Sequence, residues 1–175
     1  MIDQFAPFGS REYWIIFACV VFSRAMDFLS TWIATPNLML EANPIARKLG
    51  WKFGILLNLI LCFLFPLWPL PAVVITTTSL LVAARNLQSA WLMRSMGEIN
   101  YRVWMSERLR EASRGLFFFC LLGQAAFFVL LGVTLMYFSR FAVIPFGIGM
   151  GMITYAFAVA LYTTLSVWRL ATRRL

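Results

Sequence analysis

Five stretches of this 175-residue chain are continuously apolar for long enough to cross a bilayer, and nothing else in the sequence constrains the fold as tightly. They cover about residues 13–35, 51–68, 72–93, 115–138 and 141–168. A hydrocarbon core of about 30 Å takes roughly 20 helical residues, and backbone inside it must satisfy its own hydrogen bonds, which leaves helices or a closed barrel. Barrel strands alternate inward and outward over about ten residues, whereas these runs are longer and unbroken. At 62% hydrophobic and 13% charged, the chain also has too little polar surface to coat a soluble domain of this size. The expected fold is an all-α integral membrane protein, one domain over residues 1–175. It comprises a bundle of five transmembrane helices and an amphipathic cytoplasmic connection over 94–114.

The chain opens "MIDQFAPFGSRE", with Asp3 and Glu12 beside Arg11. It lacks the basic leader and small-residue cleavage site of a signal peptide, so the first run reads as a retained span. After the second run, "PLWPLP" places Pro66, Pro69 and Pro71 in a tight uncharged turn. The "IPFGIGMG" that opens the fifth leaves its first turn free to bend or re-enter. Five spans put Arg47, Lys48, Lys52, Arg94, Arg102, Arg108, Arg110, Arg114, Arg169, Arg173 and Arg174 on one side, against Arg11 and Arg140 on the other. By the positive-inside rule the N-terminus is expected outside and the C-terminus in the cytoplasm, with the chain in a prokaryotic cytoplasmic membrane. Four or six spans would split that cluster.

Histidine is absent, which removes the commonest metal ligand and general base. Cys19, Cys62 and Cys120 lie far apart inside apolar runs and suggest neither a disulfide framework nor a metal site. No metal and no cofactor is expected.

Two charges break the first run. Arg24 and Asp27 are three apart, so they share a helix face and can pair, and Ser30 and Thr31 extend that face. Asp27 lies roughly 12 Å from the cytoplasmic end of its helix at the helical rise. The same depth falls near Asn58 on the second span, Arg85 and Asn86 on the third with Gln88 and Ser89 a turn on, Gln124 on the fourth, and Thr163 and Thr164 on the fifth. A charge near the bilayer centre costs about 2.5 kcal/mol or more, so these groups are expected to face inward around a shared polar centre. Arg24 and Arg85 against Asp27 give that centre a charge near +1, suited to an anionic headgroup or to Glu41 folding back from the next loop. The competing reading is interhelical hydrogen-bond glue, with Arg24, Asp27 and Arg85 locking three helices in register.

The first loop ends in "EANP". Pro44 disfavours helix at Asn43 and suits the first turn of a short helix over 45–49 closed by Gly50, with Glu41 near its N-terminal end. On its own this is a capping loop. An intramembrane Asp27 followed by Ser30 and Thr31, then Glu41, Asn43 and Pro44, resembles a family of small, functionally uncharacterised prokaryotic membrane proteins. The similarity covers about residues 20–65. It implies an Asp–Glu–Asn unit in or near the polar layer, and no activity. Members of that family tend to have fewer spans and a basic residue within the next helix, where this chain has Asn58, with Lys52 only at the helix mouth.

In the 94–114 connection Tyr101, Met105, Leu109 and Ala112 recur at helical spacing beside Trp104, and Glu98 stands four before Arg102. This reads as an amphipathic helix on anionic lipid at the cytoplasmic face; docking to a partner through Arg102, Trp104, Met105 and Arg110 is the alternative. Positive-inside topology accounts for the net charge of +8, and no nucleic-acid partner is expected. Gly147 and Gly151 form a small-residue pair suited to close helix packing. The expected function is a small membrane subunit or scaffold, packed against a larger membrane complex, bound lipid or further copies of itself. The alternative is a carrier or substrate-binding component for a small anionic or amphipathic molecule. An intramembrane lipid-headgroup enzyme, with Asp27 or Glu41 as base, ranks last because no catalytic set can be assembled.

Overall fold

The computed structural model describes residues 5–172; Asp3, Arg173 and Arg174 lie outside them. The described residues form six helices and no strand: α1 (Arg11–Ala34), α2 (Pro44–Leu64), α3 (Pro69–Met96), α4 (Glu98–Glu111), α5 (Arg114–Phe138) and α6 (Val143–Thr172). All but α4 are long and apolar enough to cross a membrane.

Helix limits follow local chemistry. The Ser10 hydroxyl accepts the Tyr13 N–H and caps α1. Asn43 caps α2, its Oδ1 accepting from the Ile45 and Ala46 amides, with Pro44 in the first turn. At Gly50 the backbone enters the left-handed region (φ 68°), a conformation only glycine adopts without steric cost, and α2 breaks there into a short leading turn and the apolar segment from Trp51. A 3-10 turn over Phe65–Leu67 carries the chain into α3, which has Pro69 at its start. α3 runs to Met96, so the expected connection begins only at Gly97, and α6 is a continuous helix through "IPFGIGMG".

The helices pack in the order α2, α1, α3, α6, α5, with α4 laid across α3 and α6. The broad contacts are α1 on α3, α5 on α6 and α3 on α6. Among the described residues α2 touches α1 over a short stretch and shares a buried cluster with α1 and α3 through Cys62, Val20 and Ala72, while α5 packs chiefly on α6. Glycine permits the close approaches of α6. A Cβ on Gly149 would stand 2.5 Å from the Gly132 carbonyl oxygen on α5, and one on Gly151 2.7 Å from Thr77 Cβ on α3. The Gly147–Gly151 pair faces α3, and Gly149 between them faces α5.

Candidate functional site

The space that α2 leaves open is a cavity of about 860 Å³, lined from every helix and from the α1–α2 loop. Its polar wall is built on two separate arginines.

Arg24 is the first. Its Nε donates to Asn58 Oδ1 on α2 at 2.6 Å, and Nη1 donates to Asp27 Oδ2 at 2.7 Å and to Ser79 Oγ on α3 at 2.8 Å. The guanidinium also stands 5.8 Å from the Phe28 ring centroid. One side chain thus ties α1 to α2 and α3, and its charge is matched by Asp27 beside it. Asn58 Nδ2 turns back to the Gly54 carbonyl, so both ends of that amide are used.

Arg85 is the second, and it stands apart from the Arg24–Asp27 pair with which the sequence suggested a three-way lock. Its Nη2 donates to Thr163 Oγ1 on α6 at 3.1 Å, while Nη1 is buried and has no hydrogen-bond partner. Next to it Asn86 donates to Thr31 at 3.2 Å and to Ser30 at 3.4 Å, joining α3 to α1. Thr163 and Ser89 line the cavity, whereas Gln88 and Thr164 face outward and are exposed.

Gln124 corrects the expectation of a polar group from every span. It lies at the anticipated depth but is exposed and does not line the cavity, because α6 stands between α5 and the α1–α3 polar wall.

Glu41 and Asn43 line the same cavity as Asp27, so the structure brings together the three residues that the family resemblance singled out. Glu41 Oε1 accepts the Asn43 N–H at 2.8 Å. Burial pushes its carboxyl above the usual range; the Asn43 N–H opposes that shift, and the negative charge of Asp27 adds to it. A carboxyl raised in the folded state favours folding at low pH, and that contribution is lost as pH rises through its folded value. Glu41→Gln keeps an oxygen for the Asn43 amide and removes the buried charge. Its unfolding temperature should therefore exceed wild type at pH 8, by a margin that shrinks as pH falls toward 4.5, the ordinary glutamate value. A margin that grows on acidification would contradict this account of the carboxylate.

α4 closes one end of the cavity with Tyr101, Arg102, Met105 and Leu109. Arg102 and Met105, expected at a membrane surface or partner, are among the residues that line the cavity; Trp104 packs against Tyr101 at 5.7 Å, and Arg110 is exposed. Ala112 follows the last helical residue and extends no stripe. The anticipated Glu98–Arg102 pair is replaced by a different use of Glu98, whose carboxylate accepts the Asn37 N–H at 2.7 Å and the Met39 N–H at 3.1 Å. Those amides flank Leu38, a buried non-glycine residue in the left-handed region (φ 55°), a conformation that turns successive N–H groups toward one anion. With Trp51 Nε1 donating to the Pro36 carbonyl at 2.8 Å, Glu98 fixes the loop that carries Glu41. Sequence reasoning missed this role, since the partners lie about sixty residues apart and no local pattern announces them.

Comparison of the chain with protein-family models, curated proteins and solved structures finds no match. The fold and cavity define an all-helical membrane protein with an internal polar site, and the functional reading rests on that site.

Proposed function

We propose that this protein is a membrane-embedded binding component for an amphipathic anion, the second of the functions expected from its sequence. The observation that carries the reading is Arg85 in the cavity lining, its Nη2 held by Thr163 and its buried Nη1 without a partner. Glue would leave no cation donor unused, because a buried group without a partner costs about 1–3 kcal/mol and more when charged. The charge of the lining agrees. Arg24, Arg85, Arg102 and, at the exposed rim, Arg47 line the cavity together with Asp27 and Glu41, a surplus of two positive charges. In this proposal the α4 end of the bundle is cytoplasmic, as the distribution of Lys and Arg indicates, within a prokaryotic cytoplasmic membrane. The exposed basic residues of α4 and of the leading turn of α2 then lie at the level of anionic headgroups.

The subunit or scaffold reading draws on α5, whose outer face exposes Phe119, Phe127 and Leu130. Bilayer lipid covers such a face equally well. Headgroup catalysis has less support, since Asp27 is engaged by Arg24 and Glu41 by the Asn43 amide.

Native mass spectrometry of protein extracted in mild detergent tests the proposal. Wild type is expected to carry a defined small mass that Arg85→Gln lacks. Bare protein in both cases would overturn it, and stoichiometric recovery with larger membrane proteins would restore the scaffold reading.

A further inference from the structure

Resting on that reading of the cavity, we infer that its ligand is a phosphomonoester lipid, with the phosphate at the arginine layer around Arg85 and the tail in the slot beside α2. Three observations lead there. The first is charge. The Arg24–Asp27 pair is internally neutral, so the surplus of two belongs to Arg85 within the bundle and to Arg47 and Arg102, with Glu41, nearer the α4 end. A phosphomonoester carries about −1.5 to −2 at neutral pH and offers three terminal oxygens, which matches that surplus. A carboxylate or phosphodiester carries a single charge and leaves half of it uncompensated.

The second is the donor geometry. Thr163 engages Nη2 and no group engages the buried Nη1, so the planar guanidinium of Arg85, which lines the cavity, keeps donor capacity for a tetrahedral oxyanion. The third is shape. Away from α4 the lining changes to Val20, Leu61, Cys62, Phe65 and Ile75, an apolar slot that continues from the arginine layer. In this inference an acyl or isoprenoid chain enters beside α2, which packs on α1 over a short stretch and joins the buried Val20–Ala72 cluster only through Cys62. A soluble anion would gain nothing from such a slot.

The test is equilibrium binding in detergent micelles, read by native mass spectrometry and by thermal stabilisation. Four compounds are compared: dioleoyl phosphatidate, dioleoyl phosphatidylglycerol, oleate and glycerol 3-phosphate. Phosphatidate is expected to bind at least tenfold more tightly than each of the others. Arg85→Gln should weaken it by about ten- to a hundredfold, the range for a hydrogen bond to a charged group. Arg85→Lys should fall between, keeping charge without the planar fork. Leu61→Trp fills the slot without touching the arginine layer; it should abolish phosphatidate binding while wild-type helicity persists, and it keeps the inference testable if Arg85 variants do not fold. Equal binding of all three lipids would overturn the phosphomonoester assignment and leave the anion cavity standing. Glycerol 3-phosphate binding as tightly as phosphatidate would overturn the tail assignment and make a free phosphate ester the ligand. Binding of none of the four would overturn the inference together with the cavity reading beneath it.

Discussion

Replacing Arg24 with Met is expected to destabilise the protein by about 3 kcal/mol, the largest effect of any single polar substitution in the bundle. The side chain makes one hydrogen bond within α1 and one each to α2 and α3, and its removal strands the Asp27 carboxylate together with Asn58 Oδ1 and Ser79 Oγ. Interhelical hydrogen bonds in membranes are modest singly, averaging about 0.6 kcal/mol, so the lost bonds alone do not reach that figure. The rest comes from a carboxylate left without its counter-charge on a side chain only 18% exposed. Two controls separate these contributions. Ser79→Ala removes one acceptor and should cost under about 1 kcal/mol. Arg24→Met combined with Asp27→Leu should recover part of the loss, because it removes the stranded charge as well. Reversible unfolding in mixed micelles measures all of them. A loss for Arg24→Met no greater than that for Ser79→Ala would mean the arginine does not organise the helices.

The second large effect is expected at Gly149. Its missing side chain lets α6 lie backbone to backbone on α5, where a Cβ would meet the Gly132 oxygen at 2.5 Å and Met136 Cγ at 2.7 Å. Neither obstacle is easily displaced, since one is backbone and the other stands beside it. Gly149→Val should cost about 3 kcal/mol, at the upper end for overpacking, and should loosen α5, whose broad packing is on α6. A cysteine pair placed across the α5–α6 contact would then lose its cross-linking in the membrane. Gly123 supplies the control: nothing stands within 4 Å of a Cβ built there. Gly123→Ala should be neutral or slightly stabilising, as alanine is the better helix former. Equal effects at the two glycines would mean that α5 and α6 do not pack through Gly149.

The contrast between Gln124 and Thr163 shows where sequence reasoning stops. Counting residues from the helix ends puts both in or close to the polar band. Thr163 meets Arg85, whereas Gln124 faces away from the bundle. Depth is a matter of arithmetic along one helix, at 1.5 Å per residue. Facing depends on how a helix is rotated against its neighbours and on which neighbours it has, and neither is written in its own span. Glu98 makes the same point from the other side. Its spacing to Arg102 suited a pair within one turn, yet the carboxylate goes to two amides of a loop that the chain left some sixty residues earlier.

By itself the sequence determined the number of membrane-length helices, their limits to within a few residues and the local devices that shape them: the Asn43 cap, the break at Gly50 and the proline turn before α3. Each depends on residues within one turn of one another. Only the tertiary structure decided that Arg24 and Arg85 bond to different partners, that Arg102 and Met105 of α4 line the cavity, and that Arg85 keeps a buried donor without a partner. Those outcomes depend on the order α2, α1, α3, α6, α5, which is set by side-chain fit between helices distant in sequence. Apolar runs of similar composition carry little information about that fit.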